Sequence, residues 1–313
     1  MIRFLFKDSI PKRIASSFAI VILVGSLLLN LPISQLATSK ATYFDHLFTT
    51  VSMVCVTGLS TQPVAETYNT FGQVICMILM QIGGLGLMSI IAFFLYDAGK
   101  KMSLVNKLAL QDSLNREDGQ DFKKYLRTIF KYTFFIEFIA AVILSFRFVP
   151  ELGTAKGIFT AFFFAVSAFC NAGFDLMGRF GKFSSLTPYR TDSLVILTIS
   201  ALIFIGGLGF VVWNDILRYK LNYKKYSLHT KIVLMMSISL TLFGAILFFF
   251  IESHHIFRGQ GVNERLLSSL FLSISPRTAG FNTLDLTMLT NASIFLTILL
   301  MIIGGSSGST AGG

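Results

Sequence analysis

The chain has 313 residues, of which 53% are hydrophobic and 13% charged, with 33 Phe, and its charges gather in short stretches between long uncharged runs. This composition argues against a soluble domain and for an integral membrane protein, so the formal charge of +10 reads as topological bias and not as a nucleic-acid surface. Cys55, Cys76 and Cys170 lie in apolar runs without CxxC spacing, which indicates neither a disulfide framework nor a metal site and suggests packing roles.

In chain order, Lys12 and Arg13 precede an uncharged window from Ile14 to Ile33 that no small-residue cleavage site follows, so it reads as a retained helix. Further windows of spanning length run from Thr67 to Tyr96, Ser193 to Asn214 and Ile232 to Ile251, and Tyr132 to Phe146 carries only Glu137. Between them lie shorter apolar segments. Leu266 to Pro276, 11 residues, would cover about 16 Å as a helix and cannot span, whereas Gly157 to Phe174 is long enough for length alone not to decide. The last apolar run, Asn291 to Ile303, has 13 residues, about 20 Å of helix, so the glycine and serine run "GGSSGSTAGG" begins at membrane depth.

These pieces repeat. "VTGLS" from Val56, "NAGFD" from Asn171 and "TAGFN" from Thr278 each follow a short apolar run, and each precedes a longer run with a glycine pair, "QIGGLGL" from Gln81, "FIGGLGF" from Phe204 and "IIGGSSG" from Ile302. Gly58 is 25 residues before Gly83, Gly173 is 33 before Gly206 and Gly280 is 24 before Gly304. The unit is a long helix, a short apolar segment, a glycine turn and a second long helix, with boundaries at residues 1–98, 99–218 and 219–313.

Charge decides the topology. If every short segment is re-entrant from outside, the cytoplasmic stretches hold 17 of the 26 basic residues; if all three span, the bias disappears, at 12 inside and 14 outside. The N-terminus is then cytoplasmic, and the glycine turns sit at membrane depth, where irregular backbone survives only against protein or water. Rings of backbone carbonyls hold alkali cations, and glycine most easily adopts the angles that aim them inward. A pore helix descending from outside also points its partially negative C-terminus at the axis. The glycine pairs Gly83-Gly84 and Gly206-Gly207 read as close helix packing. "GGLGL" is no nucleotide loop, since no strand precedes it and the GxGxxG spacing is incomplete.

On the trio "TGLS", "NAGFD" and "RTAGFN" with their glycine-pair helices, the chain resembles the Trk/Ktr/HKT superfamily of potassium transporters, most like the bacterial Ktr membrane subunit, KtrB. The resemblance implies an all-α membrane protein of tandem M1, pore helix and M2 repeats around a pseudo-fourfold pore, with three of four repeats present and the fourth, something over 100 residues by the repeat spacing, belonging to a longer protein. It implies a K+ filter at the carbonyls of Val56, Thr57, Gly58, Asn171, Ala172, Gly173, Thr278, Ala279 and Gly280. Glycine at all three central positions fits potassium preference. The broken third M2 of that family matches a gate loop of Gly304, Gly305, Ser306, Ser307, Gly308, Ser309, Thr310, Ala311, Gly312 and Gly313. The same resemblance implies K+ as substrate with Na+ as an activator, no covalently bound cofactor, a homodimer in the cell membrane, and a cytosolic nucleotide-binding regulatory ring as partner.

Other residues stay open. Glu137 is either functional or a hydrogen bond between helices; Arg277 either repels cations at the outer mouth or pairs with a carboxylate such as Asp285; His254 and His255 lack the spacing of a metal site. The basic stretches Lys100 to Lys131 and Arg218 to Lys231 suit anionic lipid or a partner protein. No catalytic constellation is present, so the expected function is K+ uptake through a gated, channel-like pore, the alternative being an ion-coupled carrier with alternating access.

Overall fold

The computed structural model describes residues 10–87, 89–90, 92–93, 122–220 and 222–311. Most of the basic stretch from Lys100, the boundary expected at 98/99, and Gly312 and Gly313 lie outside the described residues. The described chain is helical, and its only β feature is an isolated bridge between Gln35 and Tyr68.

Three times along the chain, a helix leads into a second, inward helix that stops at a glycine turn, and a third helix carries the chain away. The first set is α1 (Ile10–Asn30), α2 (Tyr43–Val54) and α3 (Thr70–Leu85). The next is α4 (Phe122–Leu152), α5 (Thr154–Phe169) and α6 (Ser193–Gly207), continued by α7 (Phe210–Tyr219). The last is α8 (Leu228–Ile251), α9 (Val262–Thr278) and α10 (Asn291–Ile303).

Each departing helix begins at a side-chain cap. Asn69, Asp192 and Thr290 accept from the N–H groups of Gly72, Val195 and Ser293 at 3.1, 3.2 and 3.3 Å, satisfying donors that a helix start otherwise leaves open. Two of the three stop inside the apolar window that suggests a longer helix, while α10 ends at Ile303, where its apolar run ends. α3 stops before Gly86 (φ 78°), α6 before Leu208 and Gly209 (φ 93°), and α10 before Gly304 (φ 63°), each glycine taking a left-handed conformation that a side chain disfavours. At the second break α7 turns by 97°. The inward helix α9 is longer than its apolar stretch implies, 17 residues, because the polar turn from Val262 to Arg265 is helical too.

The inward helices form the interior. α5 packs on α3, α4 and α6, and α9 on α6, α8 and α10. α5 buries nine of its 16 residues, including Phe163, Phe164 and Phe169, because it is apolar or small nearly all round. Small residues admit close neighbours: a Cβ on Gly157 would lie 2.6 Å from the Val149 Cα of α4. The rings of Phe148, Phe164 and Tyr189 fill the space between α4, α5 and the following loop, with centroids 5.5 and 5.4 Å from Phe148.

The outer helices present apolar side chains outward: Phe134, Phe135 and Phe138 on α4, Leu242, Phe243 and Ile246 on α8, Phe295 and Ile302 on α10. In water such faces would be a liability; lipid is their natural solvent. Among the described residues α4 and α8 are each long and apolar enough to cross a membrane, with α6 and α7 making a third span if taken as one, while α1, α3, α5 and α10 are shorter apolar helices.

Candidate functional site

The three glycine turns meet. Gly58, Gly173 and Gly280 line one cavity of about 210 Å³, together with Asp175, Ser185 and Asn282. A Cβ on Gly58 would lie 3.1 Å from the Ala172 carbonyl oxygen and 3.2 Å from that of Ala279; one on Gly173 would overlap the Ala279 oxygen. The carbonyls of Ala172 and Ala279 therefore crowd the other turns, and all three glycines sit at φ between 72° and 82°. Val56 and Asn171, each two residues earlier, also have φ of 55°, which Asn tolerates and which strains β-branched Val.

A device not apparent from the motifs holds each turn. In α2, α5 and α9 one buried serine faces it twice. The carbonyls of Ser52, Ser167 and Ser275 accept the N–H five residues on, from Thr57, Ala172 and Gly280, at 2.8, 2.8 and 3.1 Å. The hydroxyls then reach past the glycine: Ser52 Oγ accepts from Leu59 N–H (2.8 Å), Ser167 Oγ accepts from Phe174 N–H (2.9 Å) and donates to its carbonyl (2.7 Å), and Ser275 Oγ donates to the Phe281 carbonyl (2.5 Å). The signal was in the sequence, a serine six, six and five residues before the three glycines. Its reason lies in backbone bonding that hydropathy does not report.

The glycine pairs pack against these ends. Cβ atoms on Gly83 and Gly84 would lie 2.6 Å from the Val54 carbonyl oxygen and 2.8 Å from Cys170 Sγ, and one on Gly206 would overlap the Phe169 carbonyl. Gly207 differs: no atom lies within 4 Å of its Cβ position, and its carbonyl accepts from Ser306 N–H at 3.0 Å.

That bond belongs to the loop after α10, which seats residues 304–311 in the break between α6 and α7. Phe210 N–H donates to the Gly308 carbonyl (2.9 Å) and Thr310 N–H to the Gly206 carbonyl (3.2 Å). Thr310 is fully buried; its hydroxyl donates to the Phe169 carbonyl at 2.7 Å and accepts from Asn171 Nδ2 at 3.0 Å. Asn171 in turn accepts from the Thr278 hydroxyl at 2.7 Å, so one side chain joins the second turn, the third turn and the loop.

Arg277 does not make the expected pair with Asp285. Its Nε and Nη2 donate to the Gly304 carbonyl at 3.2 and 3.0 Å, at the start of the loop. Asp285 instead accepts from the Thr287 hydroxyl and N–H, which hold its carboxyl below the usual range. Of the cysteines, Cys76 and Cys170 are buried as packing predicts, but Cys55 is exposed. Among the described residues no group of three or more His, Cys, Asp or Glu could hold a metal ion.

The arrangement is one of carbonyls, hydroxyls and amides around one cavity. A cation transport protein family, TrkH, matches residues 3–313. Potassium/sodium uptake protein NtpJ of Enterococcus hirae is 44% identical over 301 residues, covering 96% of this chain and 65% of its own. Ktr system potassium uptake protein B of Bacillus subtilis is 37% identical over 305 residues, covering 97% and 67%. The chain thus spans about two thirds of the length of these relatives. In fold it resembles the potassium transporter TrkH from Vibrio parahaemolyticus, with a TM-score of 0.71 at 16% identity over 94% of this chain and 56% of that one. The chain belongs to the TrkH family of cation transport proteins, which are transporters and not enzymes.

Proposed function

We propose that the protein conducts K+ into the cell through a channel-like pore whose filter is built from the carbonyls around Gly58, Gly173 and Gly280, and which the loop from Gly304 onward gates. The observation that carries this reading is the convergence of three left-handed glycine turns on one cavity, with the Ala172 and Ala279 oxygens close to the neighbouring turns. Carbonyl oxygens at that density replace a cation's hydration shell without any charged side chain. The seating of the loop beneath the second turn, bonded through Thr310, supports the gate assignment.

The unit boundaries at 98/99 and 218/219, the cytoplasmic N-terminus, the homodimer and a cytosolic nucleotide-binding regulatory ring belong to the same reading. The relatives named as parts of a Ktr system support a partner, and the relative named for both potassium and sodium supports Na+ as a second ion. Broken helices at membrane depth are also how alternating-access carriers hold substrate. Rubidium uptake into proteoliposomes separates the two: a pore gives flux that follows the ion gradient and falls when Gly173→Ser narrows the filter. Saturable flux with fixed coupling stoichiometry, indifferent to Gly173→Ser, selects the carrier.

A further inference from the structure

We infer that Glu137 is a positioning residue for ion discrimination, acting through Gln81 and Cys170 to hold the second glycine turn. The inference rests on the filter reading above and adds a determinant outside the pore.

Glu137 lies in the apolar middle of α4 and is 3% exposed. Gln81 Nε2, from α3, donates to both its carboxyl oxygens at 2.9 and 3.0 Å, and among the described residues no cation pairs with it. The Gln81 carboxamide, oriented by that contact, accepts through Oε1 from the Cys170 thiol at 2.9 Å. Cys170 caps α5 and is bonded directly to Asn171, the residue held at φ 55°. Asn tolerates that conformation better than most residues, but the turn keeps one geometry only where its neighbours fix it. Here the surroundings are a three-residue relay ending at a carboxyl in apolar surroundings, an expensive group to keep there.

The relay is also local to one boundary. Gln81 precedes its glycine pair by two residues, and the residues so placed before the other two pairs are Phe204 and Ile302. Simple adhesion between α3 and α4 needs no glutamine that turns its other face to a pore-helix end. With the carboxyl gone, Gln81 loses its orientation and Cys170 its acceptor, so the second turn relaxes and its carbonyls fit the ion less closely while the path stays open.

The test is the ratio of rubidium to sodium flux through the full-length protein in proteoliposomes, for Glu137→Leu, Gln81→Leu, the exchanged pair Gln81→Glu with Glu137→Gln, and Gly173→Ser. Each single leucine variant should retain uptake while its ratio drops by about tenfold, and the exchanged pair, which rebuilds a carboxyl and a carboxamide face to face, should return it to within about twofold of the parent. Should the leucine variants not fold, Glu137→Gln replaces them; it keeps the shape and a neutral hydrogen bond, and a drop of about threefold is expected. An unchanged ratio in the folded single variants, or an exchanged pair no better than they are, overturns the inference. A ratio unmoved by Gly173→Ser overturns the filter reading itself, and the inference with it; a ratio moved by Gly173→Ser and not by the relay variants overturns the inference alone.

Discussion

Alanine at Gly58, Gly173 and Gly280 imposes the same backbone penalty three times against three different surroundings. With φ between 72° and 82°, each Cβ adds about 1–2 kcal/mol of left-handed strain. At Gly280 nothing lies within 4 Å of the new atom, so Gly280→Ala should stop near that figure. At Gly58 the atom meets carbonyl oxygens at 3.1 and 3.2 Å, which must move by a few tenths of an ångström, for about 1 kcal/mol more. At Gly173 it overlaps the Ala279 oxygen, so the third turn must shift, adding roughly 3 kcal/mol. The order of damage is therefore Gly173, Gly58, Gly280. Thermal unfolding in detergent should separate the variants at about 2–4 °C per kcal/mol, and rubidium uptake should fall in the same order. If Gly280→Ala proved as damaging as Gly173→Ala on both measures, φ alone would set the cost, and the turns would not abut as described.

Four further perturbations probe the same region. Ser167→Ala removes both hydroxyl bonds to Phe174 and should cost about 2–3 kcal/mol, against about 1 kcal/mol for Ser52→Ala, which loses one; the difference in unfolding midpoint checks it. Arg277→Lys cannot reproduce the forked contact with the Gly304 carbonyl, so a cysteine placed at exposed Ser307 should react faster with a water-soluble maleimide in that background than in the parent. Thr310→Val keeps the side chain's shape but strips the hydroxyl between Phe169 and Asn171, and should cost about 1–3 kcal/mol while accelerating the same labelling. Val56→Asn places at φ 55° a residue that tolerates it, and should leave stability level or raise it by about 1 kcal/mol in the same unfolding assay, where an apolar substitute such as Ile should not.

How much of this could be read beforehand differs from feature to feature, for physical reasons. Membrane character and the spacing of the glycine turns are legible because apolar runs and glycines are compositional and keep their register along the chain. The breaks after the pairs were also written there, as Gly86 and Gly209, the last glycines of "GGLG" in two units. Hydropathy passes over them because leucine and glycine leave the window apolar, and only the positive φ shows the helix ending. Polar reach is the least legible. Arg277 and Asp285 are close enough in sequence to suggest a pair, yet the guanidinium finds the Gly304 carbonyl 27 residues away, exposed because a helix has just ended there. Cys55 shows the same limit, since its apolar neighbours do not settle which face of the chain it takes.

The connections converge unevenly, and the unevenness bears on mechanism. The first turn is held by Ser52 and by the close approach of α3, whereas the second is gripped from every side. Ser167 closes its far end, Cys170 ties its start to α3, and Asn171 reaches both Thr278 of the third turn and Thr310 of the loop. Helix α6, which leaves this turn, is the one whose break receives the loop, through Gly206, Gly207 and Phe210. The loop therefore cannot leave its seat without releasing hydrogen bonds on Asn171 and on the Phe169 carbonyl at the end of α5. Since Asn171 also holds Thr278, the proposed gate and the proposed filter would share one side chain. If the proposed gate reading holds, the seated loop couples the second and third turns through Asn171, whereas among the described residues no such bond ties the first turn to the loop.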